Sequence, residues 1–155
     1  MLTARRLSSL PGILVALTAA GLAAAQLVPL DTAAYTRMLA SHRGKVVLVD
    51  FWATWCPLCA ETAPEMKRLY EQYHTNGLEI VGINFDDDTN QALRFIKQND
   101  LPWPQDFAGY GADNKFAQQF GAALPYIWLV DKHGIVQDIH GRKDTEAKIK
   151  KLLAQ

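Results

Sequence analysis

The sequence predicts an α/β fold: one mixed central sheet with helices on both faces. Three observations carry this. Two apolar, β-branched runs, Val46 to Phe51 and Leu78 to Asn84, flank a segment with helical apolar spacing, which makes a strand–helix–strand unit. Two further runs, Tyr126 to Asp131 and Ile135 to His140, meet at Lys132-His133-Gly134 and read as a hairpin. An amphipathic segment, Asp144 to Leu153, closes the chain. At 155 residues the length suits one domain, and 49% apolar residues are enough for a core and too many for a disordered chain. The formal net charge is zero, so no basic excess points to nucleic acid. Two cysteines cannot make a disulfide-stapled scaffold.

Taken in order, residues 1–25 read as a secretory signal. Arg5 and Arg6 form a positive start, Leu10 to Leu22 is apolar, and Ala23-Ala24-Ala25 supplies small residues before Gln26. The apolar run is short for a spanning helix, which needs about 20 residues. An uncleaved N-terminal membrane anchor is the alternative. No cysteine follows the run, which excludes a lipoprotein anchor, and the paired arginines lack the rest of a twin-arginine signal. Residues 26–155 are then the folded domain, in a periplasmic or otherwise extracytoplasmic compartment.

Ala34, Tyr35, Met38 and Leu39 predict a helix from Asp31 to His42, with Asp31 as N-cap and Gly44 ending it. After the first core strand, Ala63, Met66, Leu69, Tyr70 and Tyr73 predict a helix over about Cys56 to Tyr73. Pro64 falls inside it, where it removes a hydrogen bond and kinks the axis. Gly77 stops that helix. Beyond the second strand, Asp86-Asp87-Asp88 caps a helix from Thr89 to Asn99 with Ala92, Leu93, Phe95 and Ile96 as its apolar positions. Leu101 to Gly111 is a loop with room for a short strand. A helix from Asn114 to Phe120 ends at Gly121. The hairpin and the last helix, with Ala147, Ile149, Leu152 and Leu153 apolar, complete the chain.

Cys56 and Cys59, the only cysteines, stand where the first strand hands over to its helix. Unpaired N–H groups at a helix start stabilise an anion, and a thiolate is what attacks a disulfide. Cys59 lies within the same turn, close enough to close a small disulfide ring. Pro57 suits the first helical turn, having no N–H to leave unpaired. These features describe a reversible dithiol/disulfide pair, with Cys56 exposed as the attacking thiolate and Cys59 deeper as the resolving thiol. The alternatives are a structural disulfide and half of a zinc site. Zinc structural sites want four ligands, and His42, His74, His133 and His140 show no ligand spacing, so no metal and no cofactor is expected.

The run Gly44-Lys45-Val46-Val47-Leu48-Val49-Asp50-Phe51-Trp52-Ala53-Thr54-Trp55-Cys56-Pro57-Leu58-Cys59 resembles the thioredoxin superfamily, and within it the TlpA/ResA branch of extracytoplasmic thiol–disulfide oxidoreductases. The resemblance covers about residues 30 to 155. It implies the thioredoxin fold, with the long stretch between Cys59 and Pro125 similar to the TlpA/ResA central insertion. A bend in the cysteine helix is common in the family, so Pro64 reads as a bend. The resemblance implies a cis bond at Leu124-Pro125, with that proline facing the cysteines and its backbone pairing with an extended substrate segment. Trp55, Pro57, Leu58, Leu124 and Pro125 are the implied substrate-binding residues. Leu124 stands where the family often has a small polar residue.

Asp50, buried near the end of a strand, is the implied proton acceptor for Cys59; burial raises a carboxyl's pKa toward neutrality. TlpA/ResA relatives often have Asn there. The alternative is a structural acid paired with Lys45 or another lysine. Asp87 aligns with a family glutamate near the active site and is a second candidate acid; equally, Asp86 to Asp88 are simply acids at a helix start. Trp52, Trp55 and Phe51 read first as packing, with Trp55 flanking the thiol. Trp103, Phe107, Tyr110 and Trp128 read as core or insert packing.

The expected activity is thiol–disulfide exchange with protein disulfides, more in the reducing direction, as in cytochrome c or copper-site maturation. The resemblance implies a membrane thiol–disulfide electron donor as partner, and the chain is expected to act as a monomer. A thiol peroxidase of the same fold is the rival enzyme, but its cysteine sits in a Pro-x-x-x-Thr-x-x-Cys setting that is absent before Cys56. A non-catalytic peptide-binding module is the rival outside enzymes, and such a module has no need of either cysteine.

Overall fold

A computed structural model of the chain describes residues 28–29, 32–109, 118, 124–139 and 143–155. The elements are β1 (Val28–Pro29), α1 (Thr32–Ser41), β2 (Val46–Trp52), α2 (Pro57–Tyr73), a 3-10 turn (His74–Asn76), β3 (Leu78–Asn84), α3 (Thr89–Asn99), β4 (Gln105–Phe107), β5 (Tyr126–Val130), β6 (Val136–Asp138) and α4 (Thr145–Leu153). The signal segment, the Asp31 cap, Tyr110, Gly121 and His140 lie outside the described residues. So does the expected helix from Asn114 to Phe120, apart from Gln118, which is helical.

The strands form one six-stranded sheet in the order β1-β4-β3-β2-β5-β6. β2 is central: it pairs in parallel with β3, from Val46 opposite Leu78 to Trp52 opposite Asn84, and antiparallel with β5. β2 and β3 are buried at every position, as expected of strands covered on both faces. The possible strand in the 101–111 loop is β4, parallel to β3. β1 was not expected. Among the described residues it is two residues long and pairs with β4, so no periodicity announces it. The hairpin is shorter than its apolar run suggests, with an irregularity at Leu129/Val130.

Alternate residues along β2 face opposite layers. Val46 and Leu48 pack with Met66, Leu69 and Tyr73 of α2 and with Ile149 and Leu152 of α4. Trp52, on the same side, meets Phe95 of α3 at 5.0 Å between ring centroids. Lys67 of α2 pairs with Asp100 at the end of α3 at 2.7 Å, so α2 and α3 lie side by side. On the other face Phe51 packs edge-on to Trp128 at 4.7 Å, and Tyr35 of α1 closes over Trp128 at 5.9 Å. Burial pushes the Tyr35 hydroxyl well above the usual tyrosine range.

α2 continues through Pro64 rather than ending there. It is fastened to α4 by Glu146, which accepts from the Tyr73 hydroxyl at 2.6 Å and pairs with Arg68 at 2.8 Å. Gly77 takes a φ of 100° after the 3-10 turn, a left-handed conformation that favours glycine, and frees the chain to enter β3.

Candidate active site

β2 delivers the chain to the N-terminus of α2. Cys56 is the N-cap, in extended conformation (φ −98°, ψ 103°), and Pro57 begins the helix. The Cys56 and Cys59 sulfurs are joined in a disulfide, their Cα atoms 5.3 Å apart. The Cys59 N–H also donates to the Cys56 sulfur at 3.2 Å. Once the bond is reduced, that N–H is the group placed to stabilise a Cys56 thiolate, as a helix start does for any anion.

The expected contrast in access between the two cysteines is not present in this oxidised pair. Cys56 is 5% exposed and Cys59 4%. Closing the ring inside one helical turn makes each sulfur cover the other, and both join the core cluster with Phe51, Trp52 and Ala53. What stands proud is the rim. Trp55 is 57% and Leu58 55% exposed, Pro57 between them is exposed too, and these flank the disulfide. Leu124 and Pro125 are half-buried, their peptide bond is cis, and Leu124 packs on the cluster that holds the cysteines.

Asp50 is 8% exposed, in register with Gly82 of β3 and Ile127 of β5. It lies on the same side of β2 as Val46 and Leu48, the side covered by α2. Because α2 runs back along β2, its first turns, with Cys59 and Ala63, lie toward the level of Asp50. Lys45, the suggested partner for Asp50, is instead bound to Glu79 at 2.9 Å. The sheet explains this: Lys45 immediately precedes β2, beside the start of β3.

The three consecutive acids after β3 have separate fates. Asp88 caps α3, accepting from the Asn90 N–H at 2.8 Å. Asp87 is exposed. Asp86, 1% exposed, reaches the loop just before Cys56. It accepts from the Thr54 N–H at 3.0 and 3.1 Å, from the Thr54 hydroxyl at 2.7 Å and from Asn84 Nδ2 at 2.7 Å. Its own N–H donates to Asn84 Oδ1 at 3.0 Å. The acid that touches the cysteine loop is therefore Asp86, a residue the sequence offered only as one of three. Its partner is 32 positions away, and no local pattern announces such a bond.

Gln105 was likewise missed. It is buried on β4, and the Trp52 Nε1–H donates to its Oε1 at 2.9 Å. Trp52 is thus packing, as read from the sequence, but packing with a fixed hydrogen bond. Trp103 packs against Tyr70 at 5.6 Å and Trp128 sits in the core, both as expected.

A mixed sheet flanked by helices, with a Cys-x-x-Cys disulfide at a helix N-terminus and a cis-proline in the chain entering β5, defines a thioredoxin-fold protein of the TlpA/ResA type. The chain belongs to the Redoxin family, whose pattern matches residues 23–153. It is 33% identical over 110 residues to the thiol-disulfide oxidoreductase ResA of Bacillus thuringiensis subsp. konkukian. That match takes in 70% of this chain and 62% of the relative, less than two thirds of its length. It is 37% identical over 99 residues to the thiol:disulfide interchange protein DsbE of Pseudomonas aeruginosa, covering 63% of this chain and 52% of that protein. Among solved structures, a DsbE-type thiol:disulfide interchange protein from Chlorobium tepidum superposes with a TM-score of 0.63 at 29% identity, over 75% of this chain and 83% of the other.

Proposed function

We propose that this chain is an exported thiol–disulfide oxidoreductase that exchanges its Cys56–Cys59 pair with protein disulfides, chiefly as a reductant. The observation that carries the reading is a disulfide closed within the first turn of α2 beneath an exposed apolar rim of Trp55, Pro57 and Leu58. Such a rim suits an extended protein segment; Leu124 and Pro125 join it as substrate-binding residues in this reading, which the packing of Leu124 on the cysteine cluster supports. In the reduced state the Cys56 thiolate attacks a client disulfide. The client S–S bond breaks, one client sulfur leaves as a thiolate and takes a proton, and a mixed disulfide forms. Cys59 then gives its proton to Asp50 and attacks the Cys56 sulfur, releasing the second client thiol. Two electrons have passed to the client, and the Cys56–Cys59 bond is restored. A membrane thiol–disulfide donor returns them. Asp87, exposed just before α3, is the second candidate acid in this scheme.

Cytochrome c or copper-site maturation supplies clients of this kind, and residues 1–25 direct the chain out of the cytoplasm. The test is trapping. Cys59→Ser leaves the mixed disulfide unresolved, so it should accumulate with client proteins and disappear on adding reductant. Absence of any adduct, with peroxide consumed faster than insulin disulfides, would point to a peroxidase instead. The reduction potential of the pair then fixes the direction, since about 30 mV corresponds to 1.4 kcal/mol for two electrons.

A further inference from the structure

Gly82 stands between two polar residues on one row of the sheet: Asp50 of β2 on one side, Gln105 of β4 on the other. Residues in one row share a face, so both side chains rise on the side covered by α2. The Gln105 amide lies over Gly82. A Cβ at Gly82 would come within 1.9 Å of Oε1, 2.6 Å of Cδ and 3.0 Å of Nε2. Gln105 therefore reaches from its own strand across β3, and only one strand spacing, about 4.8 Å, separates the amide from the strand that carries Asp50.

The Trp52 bond assigns the amide's orientation, with the oxygen on Trp52 and the nitrogen left to donate elsewhere. Among the described residues Nε2 has no hydrogen-bond partner, although Gln105 is only 4% exposed. A buried donor without an acceptor is costly, and the nearby group that gains most from one is an ionised carboxylate.

We propose that Gln105 is a positioning residue for Asp50: its Nε2–H donates to the Asp50 carboxylate, directly or through one bridging water, whenever that carboxyl is ionised. This deepens, and rests on, the reading of Asp50 as proton acceptor for Cys59. A donor aimed at the charged form favours it, so the amide keeps Asp50 ionised and ready to take the Cys59 proton. Of the titratable groups on α2, Cys56 and Cys59 stand at its start, Glu61 and Glu65 are exposed, Arg68 and Tyr73 are bound to Glu146 of α4, and Tyr70 stacks on His74. β3, β5 and α4 present Gly82, Ile127 and Ile149. Asp86 is engaged by Thr54 and Asn84, Lys67 of α2 is paired with Asp100, and Arg94 and Lys97 of α3 are exposed.

Two variants of the full chain test this. Gln105→Glu keeps the shape and an oxygen for Trp52 but loses the amide donor. Gln105→Met loses both. The readout is the infrared band of the Asp50 carboxyl in protein carrying ¹³C-aspartate, identified by its loss in Asp50→Asn and followed against pH. Both variants should move the band and raise its midpoint by about one pH unit, a tenfold change in the ionised fraction below the midpoint. Resolution of the mixed disulfide should slow about tenfold in the same range. A response in only one variant, or in neither, overturns the proposal: a shift confined to Gln105→Met would mean that Gln105 serves Trp52 alone. If both variants shift the band while Asp50→Asn leaves the resolution rate unchanged, the contact stands and the proton-acceptor reading fails.

Discussion

Replacing Asp86 by Asn removes one charge and almost no volume, yet the structure makes it expensive. Three donors converge on the carboxylate: the Thr54 N–H, the Thr54 hydroxyl and Asn84 Nδ2. A carboxylate accepts all three, whereas a carboxamide has one oxygen and one NH2. If the oxygen stays on Thr54, the new NH2 faces Asn84 Nδ2 across a 2.7 Å gap, donor against donor. Asn84 cannot relieve this by turning, because its oxygen accepts the Asp86 N–H. If the amide turns over, its NH2 faces Thr54, whose hydroxyl can turn to accept it, and the Thr54 N–H keeps only its 3.1 Å contact with the amide oxygen. Asn84 and Asp86 are 0% and 1% exposed, so water does not step in. In the turned amide every donor keeps an acceptor, but the bonds lose their charge assistance and the Thr54 N–H is opposed by the amide nitrogen at 3.0 Å, a combined cost of about 2 kcal/mol. Urea unfolding of the oxidised protein should show it as a lower midpoint at unchanged slope. Thr54→Val, which removes only the hydroxyl, should cost about 1.5 kcal/mol. A loss below about 1 kcal/mol in Asp86→Asn would refute the reasoning, since a bond to a charged group alone is worth more.

Other expectations follow from single contacts. Gly82→Ala must displace the Gln105 amide, the far end of a flexible chain, so the backbone holds but the Trp52 bond breaks. It should cost about 2 kcal/mol, and much less in a Gln105→Ala background, read as a double-mutant cycle of urea midpoints. Glu146 is held down to about 2, first by the Tyr73 hydroxyl and then by Lys150 and Arg68. A carboxyl depressed in the folded state stabilises above its ordinary value of 4.5 and loses that contribution as pH falls toward 2. Glu146→Gln should therefore be less stable than the parent at pH 7 and equal to it near pH 2, measured by thermal melts. Trp55→Ala and Leu58→Ala, at exposed positions, should leave stability within about 0.5 kcal/mol. They should instead raise KM for a protein disulfide, with little effect on a small-molecule disulfide.

Much of this site can be read from the chain because its parts are local. β3 and α3 begin where Gly77 and Asp88 put them, and Pro57 beside Cys56 marks the start of α2. The disulfide itself needs only a three-residue spacing. What stayed hidden depends on partners far away in sequence. Asp86 and Thr54 are 32 positions apart, and Trp52 and Gln105 are 53 apart. Neither bond leaves a trace in periodicity, and Gly82 reads as one more residue of an apolar strand until the neighbouring strand is laid beside it. The equal burial of the two cysteines was also beyond the sequence, because it belongs to the closed ring and not to either residue.

The outermost strands have a consequence of their own. β6 carries Val136, with exposed Ile135 and Ile139 on either side, greasy enough to invite a second chain. Yet it is three residues long, and its register with β5 is broken at Leu129/Val130. At the opposite rim, β1 has only two residues. Among the described residues, a would-be partner finds few rungs at either border from which to extend the ladder, a device that discourages edge-to-edge pairing in a chain rich in β-branched residues.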